Sequence, residues 1–149
     1  MMYTLKRLGA EDREKIKKVF ASVFTKEPWC DDWSDPEQLD LYIQDLTGQS
    51  YSLTYGLFDD ADELIGISLG HIKHWYSGTE YIINELCIRT DRQRAGAGTF
   101  FIREIEKAIL ELGLKQIFLL TDSSVPAYAF YRKNGFVESK TKVAFSKPV

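Results

Sequence analysis

The chain has 149 residues, of which 44% are hydrophobic and 28% charged, the composition of a single globular domain able to bury a real core. A formal net charge of −3 and a pI near 5.4 argue against a generic nucleic-acid binder or a protein held to acidic membranes. Two cysteines, Cys30 and Cys87, are too few for a disulfide framework and lack metal-ligand spacing, so a metal-free protein in a reducing, cytoplasmic setting is expected. The first residues show no apolar core like that of a signal peptide, and no run approaches transmembrane length.

Tyr3 to Leu8 alternates apolar and polar residues and predicts a short first strand. Ile16, Val19, Phe20, Val23 and Phe24 follow at helical spacing, with Glu11, Asp12 and Glu14 near the positive end. Ser34-Asp35-Pro36-Glu37 is a capping-box pattern, and Leu39, Tyr42, Ile43 and Leu46 form the stripe of a second helix stopped by Gly48. Three strands are then expected. The first carries Tyr51, Leu53, Tyr55 and Leu57, and the second runs from Leu64 to Trp75 with Ile65, Ile67 and Leu69 on one face. The third spans Tyr81 to Ile88, and the short turns between them demand an antiparallel meander.

After a turn at Gln93–Gly98, Phe101, Ile105, Ala108, Ile109 and Leu112 make the clearest helix, closed by Gly113. Gln116 to Leu120 is nearly all apolar, as in a strand covered on both faces, so strand, helix and strand form one parallel βαβ unit. A short helix from Pro126 to Lys133, capped by Ser123 or Ser124, ends at Gly135. Phe136 to Lys147 supplies one or two last strands. No linker or repeat interrupts residues 1–149. The fold class is α/β with a mixed, mostly antiparallel sheet.

The stretch from Asn84 to Thr99 organises the rest. A β-like run stops, a basic turn with two glycines follows, and an amphipathic helix starts at once. Free backbone N–H groups at a helix start attract anions, and phosphate is the obvious tenant. A Rossmann site fits poorly, because the third glycine of that fingerprint is absent and a meander precedes the turn.

Gln93-Arg94-Ala95-Gly96-Ala97-Gly98 resembles the Q/R-x-x-G-x-G/A acetyl-CoA signature of the GNAT acyltransferase superfamily. Phe130-Tyr131-Arg132-Lys133-Asn134-Gly135-Phe136 resembles its second signature, Y-x-x-x-G-F, and the likeness covers essentially the whole chain. The resemblance implies an acetyl-CoA-dependent N-acetyltransferase. The amides of Gln93, Arg94, Ala95, Gly96, Ala97, Gly98 and Thr99 would hold the pyrophosphate. The backbone of Leu86, Cys87 and Ile88 would pair with the pantetheine arm, with Ser124 and Ala127 completing the cofactor contacts. Ser124 departs from the asparagine often found there.

Tyr131 corresponds to the tyrosine that protonates the departing thiolate, a transfer that is not steeply uphill between thiol and phenol. Glu85, a carboxylate in an otherwise apolar strand, is the candidate base, and Asp122 is the second choice. Cys87, a lone cysteine without a partner base, reads as core.

Pro28-Trp29-Cys30-Asp31-Asp32-Trp33 joins the first two helices, on the acceptor side in this family. Indoles and carboxylates together suit a cationic amine, and the placement resembles aminoglycoside N-acetyltransferase-type members. The amine would then bind near Trp29, Asp32 and Asp122. The other reading is that Trp29 and Trp33 pack the helix connection and the acids are solvated. His71 and His74 lack metal-like company and read as structural. The acceptor is expected to be a small molecule, with a polyamine, a protein or peptide amine, or a non-catalytic acyl-CoA-binding module as alternatives. No nucleic-acid or membrane partner is expected. Pairing of the last strands across a homodimer is left open.

Overall fold

The computed structural model describes residues 2–149. Thr4–Arg7 is strand β1, followed after a single 3-10 turn by helix α1, Arg13–Phe24. All five apolar residues that the helical spacing picks out in α1 are buried. Helix α2 is Pro36–Thr47. Its cap is Asp35 rather than Ser34: the carboxylate accepts from the Glu37 and Gln38 N–H groups at 3.0 and 3.3 Å, with Pro36 in the first turn. Then come β2 (Ser52–Phe58), β3 (Leu64–Trp75), β4 (Gly78–Ile88), α3 (Ala97–Glu111), β5 (Gln116–Leu119) and α4 (Pro126–Lys133).

The five strands lie in sequence order in one sheet. β1 to β4 are antiparallel, and β5 joins β4 in parallel through α3, as the short turns and the one long crossover require. α1 and α2 cover one face, burying Phe20, Ile43, Ile67, Leu69 and Cys87. α3 covers the other, burying Leu53, Tyr55, Ile65, Tyr81 and Phe101. With helices on both faces, β2 from Leu53 onward and the first part of β3 are buried. Among the described residues, no helix is long and apolar enough to cross a membrane.

Two bulges depart from simple alternation. In β3, Leu57 pairs with Gly66 and Phe58 with Leu64, leaving Ile65 unmatched. Ile65 therefore joins the α3 side while Ile67 and Leu69 face α1 and α2, so the three do not share a face as expected. In β4, Leu69 pairs with Glu85 and Gly70 with Ile83, leaving Asn84 unmatched. At this bulge, a Cβ on Gly70 would meet the Ile82 carbonyl and lie 2.6 Å from the Tyr81 ring.

Two further expectations need correction. Neither Ser123 nor Ser124 caps α4, whose N-cap is Val125 with no side-chain bond. Ser124 instead donates its N–H and its hydroxyl to Asp122 Oδ1, at 2.8 and 2.7 Å. The strands expected over Phe136–Lys147 do not form. Residues 136–149 form no helix or strand and bend at Lys140–Thr141; among the described residues, the one backbone group beyond Phe136 in a hydrogen bond is the Lys142 N–H, on Ser139 Oγ at 3.2 Å. β5 keeps a free outer edge, but the tail does not pair with it, and β-propensity alone makes no strand.

Candidate active site

The anion turn is built from the sheet outward. β4 ends at Ile88, and its last carbonyl accepts from Gln93 Nε2 at 2.8 Å. Arg92 reaches back to the buried Asp59 carboxylate at 2.8 Å, in the β2–β3 turn, and Arg89 contacts Glu63 of that turn and Asp91. N–H groups of Glu63 and Ala61, with Arg92, hold the Asp59 carboxyl below its usual range. Two arginines of the turn are thus committed to structure. Arg94 is exposed, has no ion pair among the described residues, and takes a left-handed φ of 64°.

Gly96 caps α3 at φ 80°, a conformation that suits glycine, and open space surrounds its missing Cβ. From Gln93 to Thr99, no backbone N–H meets an acceptor among the described residues; the first α3 bond is Phe100 N–H to the Gly96 carbonyl at 3.1 Å. Seven consecutive unmatched donors at the positive end of a 15-residue helix fit a phosphate-bearing ligand. Gly98 has a different reason to be glycine: a Cβ there would lie 2.8 Å from the Phe130 ring of α4. That contact docks the second signature against the first.

A fork opens beside the turn. β5 accompanies β4 only from the Glu80–Gln116 pair to the Ile83–Leu119 pair. From Glu85 to Ile88, β4 pairs with β3 alone and leaves its other edge without a strand. Leu86 and Ile88 pack toward α3, and Glu85 and Cys87 point to the α1–α2 side. The unmatched Asn84 sets this pattern, since without it Glu85 would share a face with Tyr81 and Ile83 under α3.

Glu85 is half-buried, and the Tyr42 hydroxyl donates to its Oε2 at 2.7 Å. Burial raises the Glu85 pKa, the Tyr42 bond pulls it back, and the Asp31 charge raises it again. The Tyr131 phenol is pushed up by burial first, and negative charge on Cys87 or Glu85 pushes it the same way, so it stays protonated near neutrality. A carboxyl tuned upward and a protonated phenol therefore share one electrostatic neighbourhood at the fork. Burial pushes the Cys87 thiol up, away from the thiolate a nucleophile needs.

The remaining candidates are dispersed. Trp29 packs on Phe24 with ring centroids 5.4 Å apart, and Asp32 accepts the Ser34 N–H at 3.0 Å. Asp122 is exposed and held below its usual range by the Ser124 hydrogen bonds, which suits a turn better than a base. The Ala127 N–H, in the first turn of α4, has no acceptor among the described residues. His71 meets Asn84 through Nδ1 at 3.1 Å. Glu85 contacts Tyr42, on which Trp33 stacks at 5.1 Å, and the charge of Asp31 acts on it. Tyr42 reads in sequence as part of a core stripe; its polar tip was the available signal.

The model of the GNAT acetyltransferase family matches residues 15–136. The chain belongs to the GNAT acetyltransferase family. It is thus an acetyl-CoA-dependent acetyltransferase. No curated protein sequence matches it significantly. Among solved GNAT structures, it superposes with TM-score 0.78 on the aminoglycoside acetyltransferase meta-AAC0020 from an uncultured soil metagenomic sample, in complex with sisomicin. Identity is 21%, over 99% of this chain and 96% of that one. A possible acetyltransferase from Clostridium difficile 630 gives 0.81 at 12% identity, over 100% and 99% of the two chains. AAC(6')-Iy, in complex with the bisubstrate analog CoA-S-monomethyl-acetylneamine, gives 0.76 at 12%, over 100% of both. At these identities the likeness establishes the GNAT fold.

Proposed function

We propose that this GNAT protein transfers the acetyl group of acetyl-CoA directly to a primary amine of a small, cationic acceptor. The observation that carries the proposal is the run of unmatched N–H groups from Gln93 to Thr99 beside the unpaired edge of β4. The turn would take the pyrophosphate, with Arg94 adding its free charge. The edge from Glu85 to Ile88 would hold the pantetheine arm, with Ser124 and Ala127 on the α4 side.

The acceptor amine enters between Asp31, Trp33 and Glu85, with Trp29, Asp32 and Asp122 farther out. Glu85 removes a proton from the ammonium, and its raised pKa suits that task better than an ordinary carboxylate's would. The neutral amine attacks the thioester carbonyl, the carbon–sulfur bond breaks, and Tyr131 gives its proton to the leaving sulfur. Most of the rate comes from holding an already activated thioester in line with the amine. Carboxylates and indoles at the entrance support a cationic substrate, as does the fold shared with aminoglycoside acetyltransferases.

The test is CoA thiol release across aminoglycosides, polyamines and peptide amines. Turnover is expected with a compact polycationic amine. Turnover with peptide amines alone, or silence with every aminoglycoside and polyamine, would overturn the small-acceptor assignment.

A further inference from the structure

A cavity of about 590 Å³ lies between the end of α2 and the β3–β4 hairpin, and small-molecule sites span roughly 300–1,000 Å³. Its walls continue those around Glu85. On α2, Asp45 and Leu46 follow Tyr42 by three and four residues, so they share its face about one turn, roughly 5 Å, farther along. On β3, His71 follows Leu69 by two residues and points to the same side, roughly 7 Å farther along. On β4 the wall is Asn84, the unmatched residue next to Glu85.

The polar groups of this cavity are held in a fixed arrangement. Asn84 Oδ1 lies 3.1 Å from His71 Nδ1, and a carbonyl oxygen only accepts, so Nδ1 carries the proton. Neutral His71 then presents a bare Nε2 acceptor, and Asn84 keeps both of its Nδ2 hydrogens. The Tyr51 ring meets the His71 ring edge-on at 5.8 Å and is 53% exposed, so it steadies the imidazole and offers an aromatic surface to the cavity. Asp45 is exposed and takes part in no ion pair among the described residues. Lys73 and His74 line the hairpin end, where the Lys73 Nζ sits 4.2 Å from the Trp75 ring centroid.

The lining is thus mixed in charge, and its selectivity lies in hydrogen bonding. An acceptor beside a donor suits a hydroxyl, which both takes and gives a hydrogen bond. An ammonium only gives, and would leave the Asn84 amide hydrogens idle. A ring that carries several hydroxyls and has an apolar face to lay on an aromatic is a sugar. We propose that this cavity is a second acceptor subsite, which takes a hydroxylated ring of an aminosugar while the reacting amine lies at Glu85. His71, Asn84 and Tyr51 set its preference for that ring over an alkyl polyamine, and Asp45 accepts from a further hydroxyl. The subsite rests on the proposed acetyl transfer for the place of the reacting amine.

Calorimetry tests the subsite without turnover. Kanamycin A and spermine match in amine count and differ in hydroxyls. The CoA-saturated protein should bind kanamycin A about tenfold more tightly than spermine. His71→Ala and, separately, Tyr51→Ala should weaken kanamycin A about 5–10-fold and spermine less than about twofold. Tyr51 is largely exposed, so its variant should keep the parent circular-dichroism spectrum. No preference in the parent, an unchanged affinity for kanamycin A in both variants, or equal losses for the two ligands overturns the subsite. Release of CoA thiol is read in parallel. A parent that shows the preference but does not acetylate kanamycin A keeps the subsite and removes the acetyl transfer.

Discussion

The two halves of β4 are built from similar residues and do different work. From Glu80 to Ile83 the strand is flanked by β3 and β5, and its side chains are locked: the Tyr81 hydroxyl donates to the Leu53 carbonyl at 3.0 Å and meets Ser68 Oγ at 2.8 Å. From Glu85 to Ile88 one flank is empty, and the carboxylate of Glu85 is held by a single phenol. Between them stands one unmatched residue, Asn84. A site need not differ in residue type from the scaffold beside it. It can be made by withholding one neighbouring strand and shifting the register by one residue.

Substitutions should separate the halves, and the largest effects should come from groups facing the open one. Tyr131→Phe should lower kcat on the order of 10³-fold with little change in CoA affinity, read by steady-state kinetics and calorimetry. Equal turnover would remove Tyr131 from the chemistry. Glu85→Gln should cost on the order of 10² in kcat and flatten the low-pH limb of the rate profile, since only the ionised carboxylate accepts a proton. A limb that persists assigns the base elsewhere.

Gly70→Ala strikes the junction itself. Its methyl would press on the Tyr81 ring and the Ile82 carbonyl, so a loss of about 1–3 kcal/mol is expected in denaturant titrations, with reduced activity as the bulge shifts. Tyr81→Phe, in the closed half, should cost about 1–3 kcal/mol by leaving the Leu53 carbonyl and Ser68 short of a partner, while kcat holds. If Tyr81→Phe slowed catalysis as much as Glu85→Gln, the division of β4 would collapse. The smallest effect is expected from Tyr42→Phe. The Tyr42 hydrogen bond lowers the Glu85 pKa, so its loss lets that pKa rise and moves the low-pH limb to higher pH, with kcat changed only a few-fold.

Much of this was legible in the chain. Helical spacing located α1, α2 and α3, short turns dictated the meander, and the two glycine-bearing signatures led to the family because turn chemistry and cap geometry are local. The faces of Ile65 and Glu85 were not legible. Each depends on a bulge, which adds one residue without changing composition. Tyr42 escaped for a related reason: its ring satisfies a helical stripe, and only the tertiary fold brings its hydroxyl to Glu85. The tail misled because its residues favour a strand, and a strand also needs a partner that local sequence does not supply.

The lashing of Arg92 to Asp59 and of Arg89 to Glu63 bears on how quickly the turn can capture a ligand. A loop with seven vacant donors would ordinarily sample many shapes, and a phosphate arriving there would have to freeze them. The two ion pairs fix the residues that lead into the loop, so on the proposed assignment part of the loss of chain freedom would fall at folding rather than at encounter. CoA would then meet a loop whose entrance is already in shape.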